Sequence, residues 1–106
     1  MELLKSLCES SGIPGQEGRL REIVSNELDT ICDASKVDGL GNLIFRKDAT
    51  KGKAPKRLMI AAHMDEIGFV VSHIEENGLL RLVPLGGHDP RNMVAQRVNV
   101  AGKRAI

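Results

Sequence analysis

The chain has 106 residues, 42% apolar and 2% aromatic, with a formal net charge of +1 from 15 basic and 14 acidic side chains. That length makes one domain at most, and the balance of charge excludes the strong basic field of a nucleic-acid or membrane-surface binder. No apolar run approaches the ~20 residues that span a bilayer, and Met1-Glu2-Leu3-Leu4-Lys5 lacks the basic and apolar regions of a secretory signal.

Leu3, Leu4 and Leu7 stand at helical spacing and predict a helix from Glu2 to about Ser10, ended by Ser11-Gly12 and the Pro14-Gly15 turn. A second helix is predicted from about Glu17 to Ile31. Leu20, Ile23, Val24, Leu28 and Ile31 would form its buried face, with Glu17 complementing the dipole and Arg19, Arg21, Glu22 and Glu27 on the wet side. Cys8 and Cys32 follow no disulfide pattern and read as reduced helix residues of a cytoplasmic protein. Two short strands, Ala34 to Val37 and Asn42 to Arg46, should flank the glycine-rich turn Asp38-Gly39-Leu40-Gly41. Lys47 to Lys56 reads as an exposed loop, whose charge needs no anionic ligand to explain it. Leu58-Met59-Ile60-Ala61-Ala62 is short and uncharged and predicts a buried strand. Phe69 to Val71 and Leu79 to Val83 predict strands around the turn Glu75-Glu76-Asn77-Gly78, and Val98 to Ile106 reads as a strand, a turn and the start of another strand. Size scaling gives about 65% burial of the unfolded surface, in a core of Leu, Ile, Val, Met and Ala.

The chemistry concentrates where Leu58–Ala62 runs into His63-Met64-Asp65, ahead of Gly68. A buried strand ending in His-x-Asp carries an imidazole and a carboxylate to the sheet rim, where open α/β sheets bind ligands. A neutral imidazole is a good zinc ligand, and a carboxylate two residues on can orient its ring. Spacing alone leaves the bland readings open: a buried histidine bonded to a carbonyl for His63, a turn cap for Asp65. Glu66 reads as a structural or rim residue. His73 and His88 would complete a three-histidine set, but they fall in the β-rich end and in a glycine loop, and are set aside as ligands. The glycines match no phosphate loop and the serines no nucleophile elbow.

The His63-Met64-Asp65 segment resembles the first metal-binding motif of the M42 family of dinuclear metallo-aminopeptidases, which includes the tetrahedral aminopeptidases. Ser11-Gly12-Ile13-Pro14-Gly15-Gln16-Glu17 is similar to that family's opening signature, and Asp38-Gly39-Leu40-Gly41-Asn42-Leu43 to its hairpin before the central sheet. Gly86-Gly87-His88-Asp89-Pro90 with Ala95-Gln96-Arg97-Val98 looks like the start of its inserted domain, His88 departing from the usual apolar or aromatic residue. The resemblance implies an α/β fold: residues 1–70 as the amino-terminal part of a metallopeptidase α/β/α sandwich, and residues 71–106 as the opening strands of an inserted β-rich dimerisation domain, PDZ-like or barrel. The boundary would fall near Gly68–His73, through continuous strands.

By the same resemblance the complete enzyme would release amino-terminal residues from peptides, using two divalent metal ions, zinc or cobalt, in a cytoplasmic homo-oligomer. His63 would be a metal ligand and Asp65 a supporting catalytic residue. The bridging aspartate, the glutamate base and the other ligands would come from later segments, so the 106-residue chain is expected to be an incomplete amino-terminal part, inactive alone. The alternative is a non-catalytic truncated module for folding or assembly with other subunits. Some members carry a glucanase label, but glycoside hydrolysis needs paired carboxylates, and the usual aromatic platforms are lacking in a chain without Trp or Tyr.

Overall fold

The computed structural model describes residues 1–51 and 56–106. Residues 52–55 of the expected charged loop lie outside the described residues. Helix α1 spans Glu2–Glu9 and α2 Gly18–Leu28, followed by strands β1 Ala34–Val37, β2 Leu43–Arg46, β3 Gly68–Ile74, β4 Leu80–Leu85, a short 3-10 turn Pro90–Asn92, β5 Val98–Val100 and β6 Lys103–Ala105. The described residues thus form a mixed α/β arrangement of three separate antiparallel hairpins, β1–β2, β3–β4 and β5–β6.

Each hairpin follows its turn chemistry. Between β1 and β2, Gly41 takes φ +87°, and its N–H donates to the Asp38 carbonyl at 3.1 Å. The Asp38 carboxylate accepts from the Leu40 and Asn42 N–H groups at 3.0 and 2.9 Å and from the Asn42 amide at 2.8 Å. Between β3 and β4, Gly78 takes φ +86°, as an Asn-Gly turn requires. Between β5 and β6 both Ala101 and Gly102 have positive φ, the geometry of a two-residue hairpin loop whose twist matches the strands. The β3–β4 ladder runs from Gly68↔Leu85 to Ile74↔Leu80 with a register shift between Val71 and His73.

Helix α2 ends at Leu28, three residues early. Its last turn closes through the Asp29 N–H on the Ser25 carbonyl at 2.8 Å, and Ile31, expected on the buried face, is 58% exposed. Cys32 therefore lies beyond the helix, and both cysteines are free thiols. Among the described residues Leu20 is the one buried apolar side chain, and it packs where a Cβ on Gly12 would collide with its Cγ and Cδ1.

The expected buried strand Leu58–Ala62 does not form. Leu58, Met59 and Ile60 are 86%, 87% and 86% exposed, and the segment enters no ladder. A strand needs a neighbour for its N–H and C=O groups and layers on both faces to be buried, and among the described residues none is placed to supply them. The expected 65% burial fails for the same reason. The exposed surface is 9536 Å², where a compact chain of this mass would show about 5,800 Å² and the unfolded chain about 16,700 Å². The radius of gyration, 18.7 Å, and extents of 68 × 25 × 24 Å likewise exceed the ~13 Å radius of a compact domain of about 100 residues.

Candidate metal-ligand site

Two ties to the loop between the helices hold the segment just after His63 and Asp65. The N–H of Glu66, one residue past Asp65, donates to the Gly12 carbonyl at 2.8 Å. Two residues further on, Gly68 meets Ile13 so closely that a Cβ would overlap its Cγ2 and stand 3.3 Å from its Cβ. The loop between the helices thereby holds the segment that follows His-x-Asp, and Glu66 acts through its backbone.

His63 Nδ1 lies 2.9 Å from the Asp65 backbone carbonyl and 3.2 Å from Asp65 Oδ1. A carbonyl oxygen can only accept, so Nδ1 carries a proton, and in the neutral imidazole that places the lone pair on Nε2. The imidazole is 85% exposed and the Asp65 side chain 39%. This is the tautomer and the orienting contact of a metal-ligating histidine, in a ring held on one side and open on the other. It differs from the bland expectation, since His63 is not buried.

His63 and Asp65 line a cavity of ≈ 180 Å³ with Ala62, Met64, the turn residues Leu40 to Leu43, and Glu17. The sequence reading missed this wall: it assigned the turn only a hairpin role and Glu17 only a dipole role. The overlooked signal was that both lie in segments singled out beside His-x-Asp. The carboxyl group of Asp38, which shapes the turn, is held below the ordinary 3.8, first by the Asn42 side-chain amide and then by the Asn42 N–H.

The other histidines are placed apart from one another in role. His73 Nε2 is 3.7 Å from Glu75 Oε2, and Glu75 also pairs with Arg81 across the β3–β4 hairpin. His88 stacks on Phe69 at a centroid distance of 4.4 Å, and its Nε2 lies 3.0 Å from the Gly68 carbonyl and 3.1 Å from the Leu85 carbonyl. Two carbonyl acceptors make that nitrogen an N–H donor, so His88 pins the base of the β3–β4 hairpin. Among the described residues no group of three or more His, Cys, Asp or Glu side chains converges as a metal site, and no helix is long and apolar enough to cross a membrane.

The sequence profile of the M42 glutamyl aminopeptidase family matches residues 41–106. The chain is 45% identical over 98 residues to the lysyl aminopeptidase of Pyrococcus furiosus, an alignment covering 92% of this chain and 27% of that protein. Among solved structures it is similar to an endoglucanase from Thermotoga maritima, with TM-score 0.83 and 39% identity over 95% of this chain and 32% of that one. It is also similar to the dodecamer PhTET1-12s, with TM-score 0.73 and 38% identity over 91% of this chain and 28% of that one. The chain thus spans less than a third of the length of these relatives.

Proposed function

The chain belongs to the M42 glutamyl aminopeptidase family, a family of peptide hydrolases, and on that premise we propose that it carries one metal ligand, His63, and its orienting carboxylate, Asp65, for a dinuclear metallo-aminopeptidase. The observation that carries the reading is the Nδ1 contact with Asp65, which in the neutral imidazole puts the proton on Nδ1 and leaves the Nε2 lone pair available to a metal. The residues present fit one coordination position of a zinc or cobalt site. A bound metal pair supplies Lewis acidity at the scissile carbonyl and acidifies the attacking water.

His63 contributes its Nε2 lone pair. Asp65 would hold the ring through Nδ1 and raise the basicity of Nε2. Residues Leu40 to Leu43 line the same cavity as the imidazole. Residues 1–70 belong to the catalytic domain of the complete protein, and β3 leads from it into an inserted β-rich dimerisation domain beginning at residue 71. The substrates are peptides with a free amino terminus, and the dodecameric relative supports assembly into a homo-oligomer. His63 is the one ligand proposed here and a dinuclear site needs several, so on this reading the 106-residue chain alone does not hydrolyse peptides. The endoglucanase name of one neighbour is not carried over: glycoside hydrolysis rests on a pair of carboxylates flanking the bond, and the feature seen here is an oriented imidazole.

The test is zinc or cobalt content of the native gene product against a His63→Ala variant. Loss of metal together with loss of aminoacyl-p-nitroanilide hydrolysis is expected. Full metal occupancy in the variant would contradict the assignment.

A further inference from the structure

Arg21 lies on the side of α2 that the helical pattern assigns to solvent, yet its side chain is only 27% exposed. Its Nε donates to the Gly41 carbonyl at 3.2 Å. Its Nη2 stands 3.9 Å from Glu17 Oε2, and Glu17 Oε1 accepts from the Gly15 N–H at 2.6 Å. The fit is close, because a Cβ on Gly41 would lie 3.0 Å from Arg21 Nη2. Among the described residues this is the one side-chain hydrogen bond from α2 to the 38–42 turn.

The turn is stiff within itself. Asp38 ties Leu40 and Asn42 together with three hydrogen bonds, so it moves as a unit, and Arg21 is what attaches that unit to the helix. Residues Leu40 to Leu43 of the same unit, together with Glu17, line the cavity that holds His63 and Asp65. The guanidinium reaches both neighbours because its planar fork presents donors in fixed directions, which a lysine ammonium on a flexible stem does not.

We propose that Arg21 is a positioning residue: by holding Glu17 and the Gly41 carbonyl at once, it sets the Leu40–Leu43 wall against His63 and Asp65 and keeps the imidazole in its ligand orientation. The inference rests on the reading of His63 as a metal ligand. It adds a component in which the opening Glu17 segment and α2 act on the site through a turn, without touching the metal.

The test uses the native gene product, with zinc affinity measured by competition against a chromogenic chelator and backbone hydrogen exchange followed at Gly41 and Asn42. Arg21→Met and Arg21→Lys should each weaken zinc binding on the order of tenfold, the low end of what outer partners of a ligand contribute. Both should speed exchange at Gly41 and Asn42 while leaving α1 unchanged. Glu17→Gln, which keeps an acceptor for Gly15 but removes the charge facing Arg21, should give a smaller loss in the same direction. Unchanged affinity in Arg21→Met, or wild-type affinity in Arg21→Lys, overturns the proposal. If Arg21→Met does not fold, Arg21→Lys and Glu17→Gln decide on the same criteria. His63→Ala separates the two readings. If it leaves zinc affinity unchanged, the ligand assignment falls and this inference with it. If it abolishes binding while the Arg21 variants bind normally, only the positioning role falls.

Discussion

At the scale of single residues, the decisive contact is His63 Nδ1 on Asp65, because it converts an exposed imidazole into an oriented donor. Asp65→Ala removes the carboxylate contact at 3.2 Å but keeps the backbone carbonyl at 2.9 Å, so in the native gene product it should weaken zinc binding on the order of tenfold, the low end of what an orienting partner contributes. Chelator competition reads that directly. Gly68 is the second residue on which the site depends. Its missing side chain lets Ile13 seat against the segment after Asp65, and Ile13 is β-branched and cannot swing aside freely. Gly68→Ala in the native gene product should therefore cost about 1–3 kcal/mol by overpacking, seen as a lower urea midpoint. Arg21 shows where residue-level reading from sequence stops. Its charge and helical position point to solvent, and only its contact with a turn twenty residues away reveals a structural partner.

At the scale of elements, the hairpins were legible because their turns carry the instruction locally: Asn77-Gly78 and Asp38 to Gly41 need positive φ and glycine supplies it. The start of α2, its buried Leu20 and the whole of β1 were legible for similar local reasons. Leu58–Ala62 was not, since apolar composition says what a segment would do beside a neighbour but does not provide one. The His-x-Asp pair was singled out by its spacing together with its likeness to a family motif, while the cavity lining contributed by residues 40–43 depends on how separate segments meet. The Asp38 turn makes a pH prediction. Hydrogen bonds from Asn42 hold its carboxyl group below the ordinary 3.8. A depressed folded value favours the turn above the ordinary carboxylate range, and that contribution disappears as pH falls through the folded value. Amide exchange at Leu40 and Asn42, corrected for its intrinsic pH dependence, should therefore lose protection only below about pH 4. Loss of protection already at pH 6 would mean that the carboxylate does not hold the turn.

At the scale of the whole molecule, the exposed surface of 9536 Å² exceeds that of a compact chain of this mass by roughly 3,700 Å², an excess within the range buried by obligate interfaces. Leu58, Met59 and Ile60 stand out in it. The 106-residue chain produced alone should therefore bind a hydrophobic dye such as ANS, self-associate with rising concentration in sedimentation, and unfold without a sharp transition. A monomer with a sharp two-state melt would contradict this. On the proposed reading, in which His63 is the one metal ligand this chain supplies, the same chain should show no peptide hydrolysis.

The central claim is that this member of the M42 family uses His63 to hold a catalytic metal. The most direct measurement is metal content and hydrolysis of lysyl- and glutamyl-p-nitroanilides by the native gene product, with His63→Ala alongside. The account predicts close to two divalent ions per active wild-type chain, and loss of both metal and turnover in the variant. A variant that keeps its metal and its turnover, or a wild-type enzyme that hydrolyses these substrates with no metal bound, would contradict it.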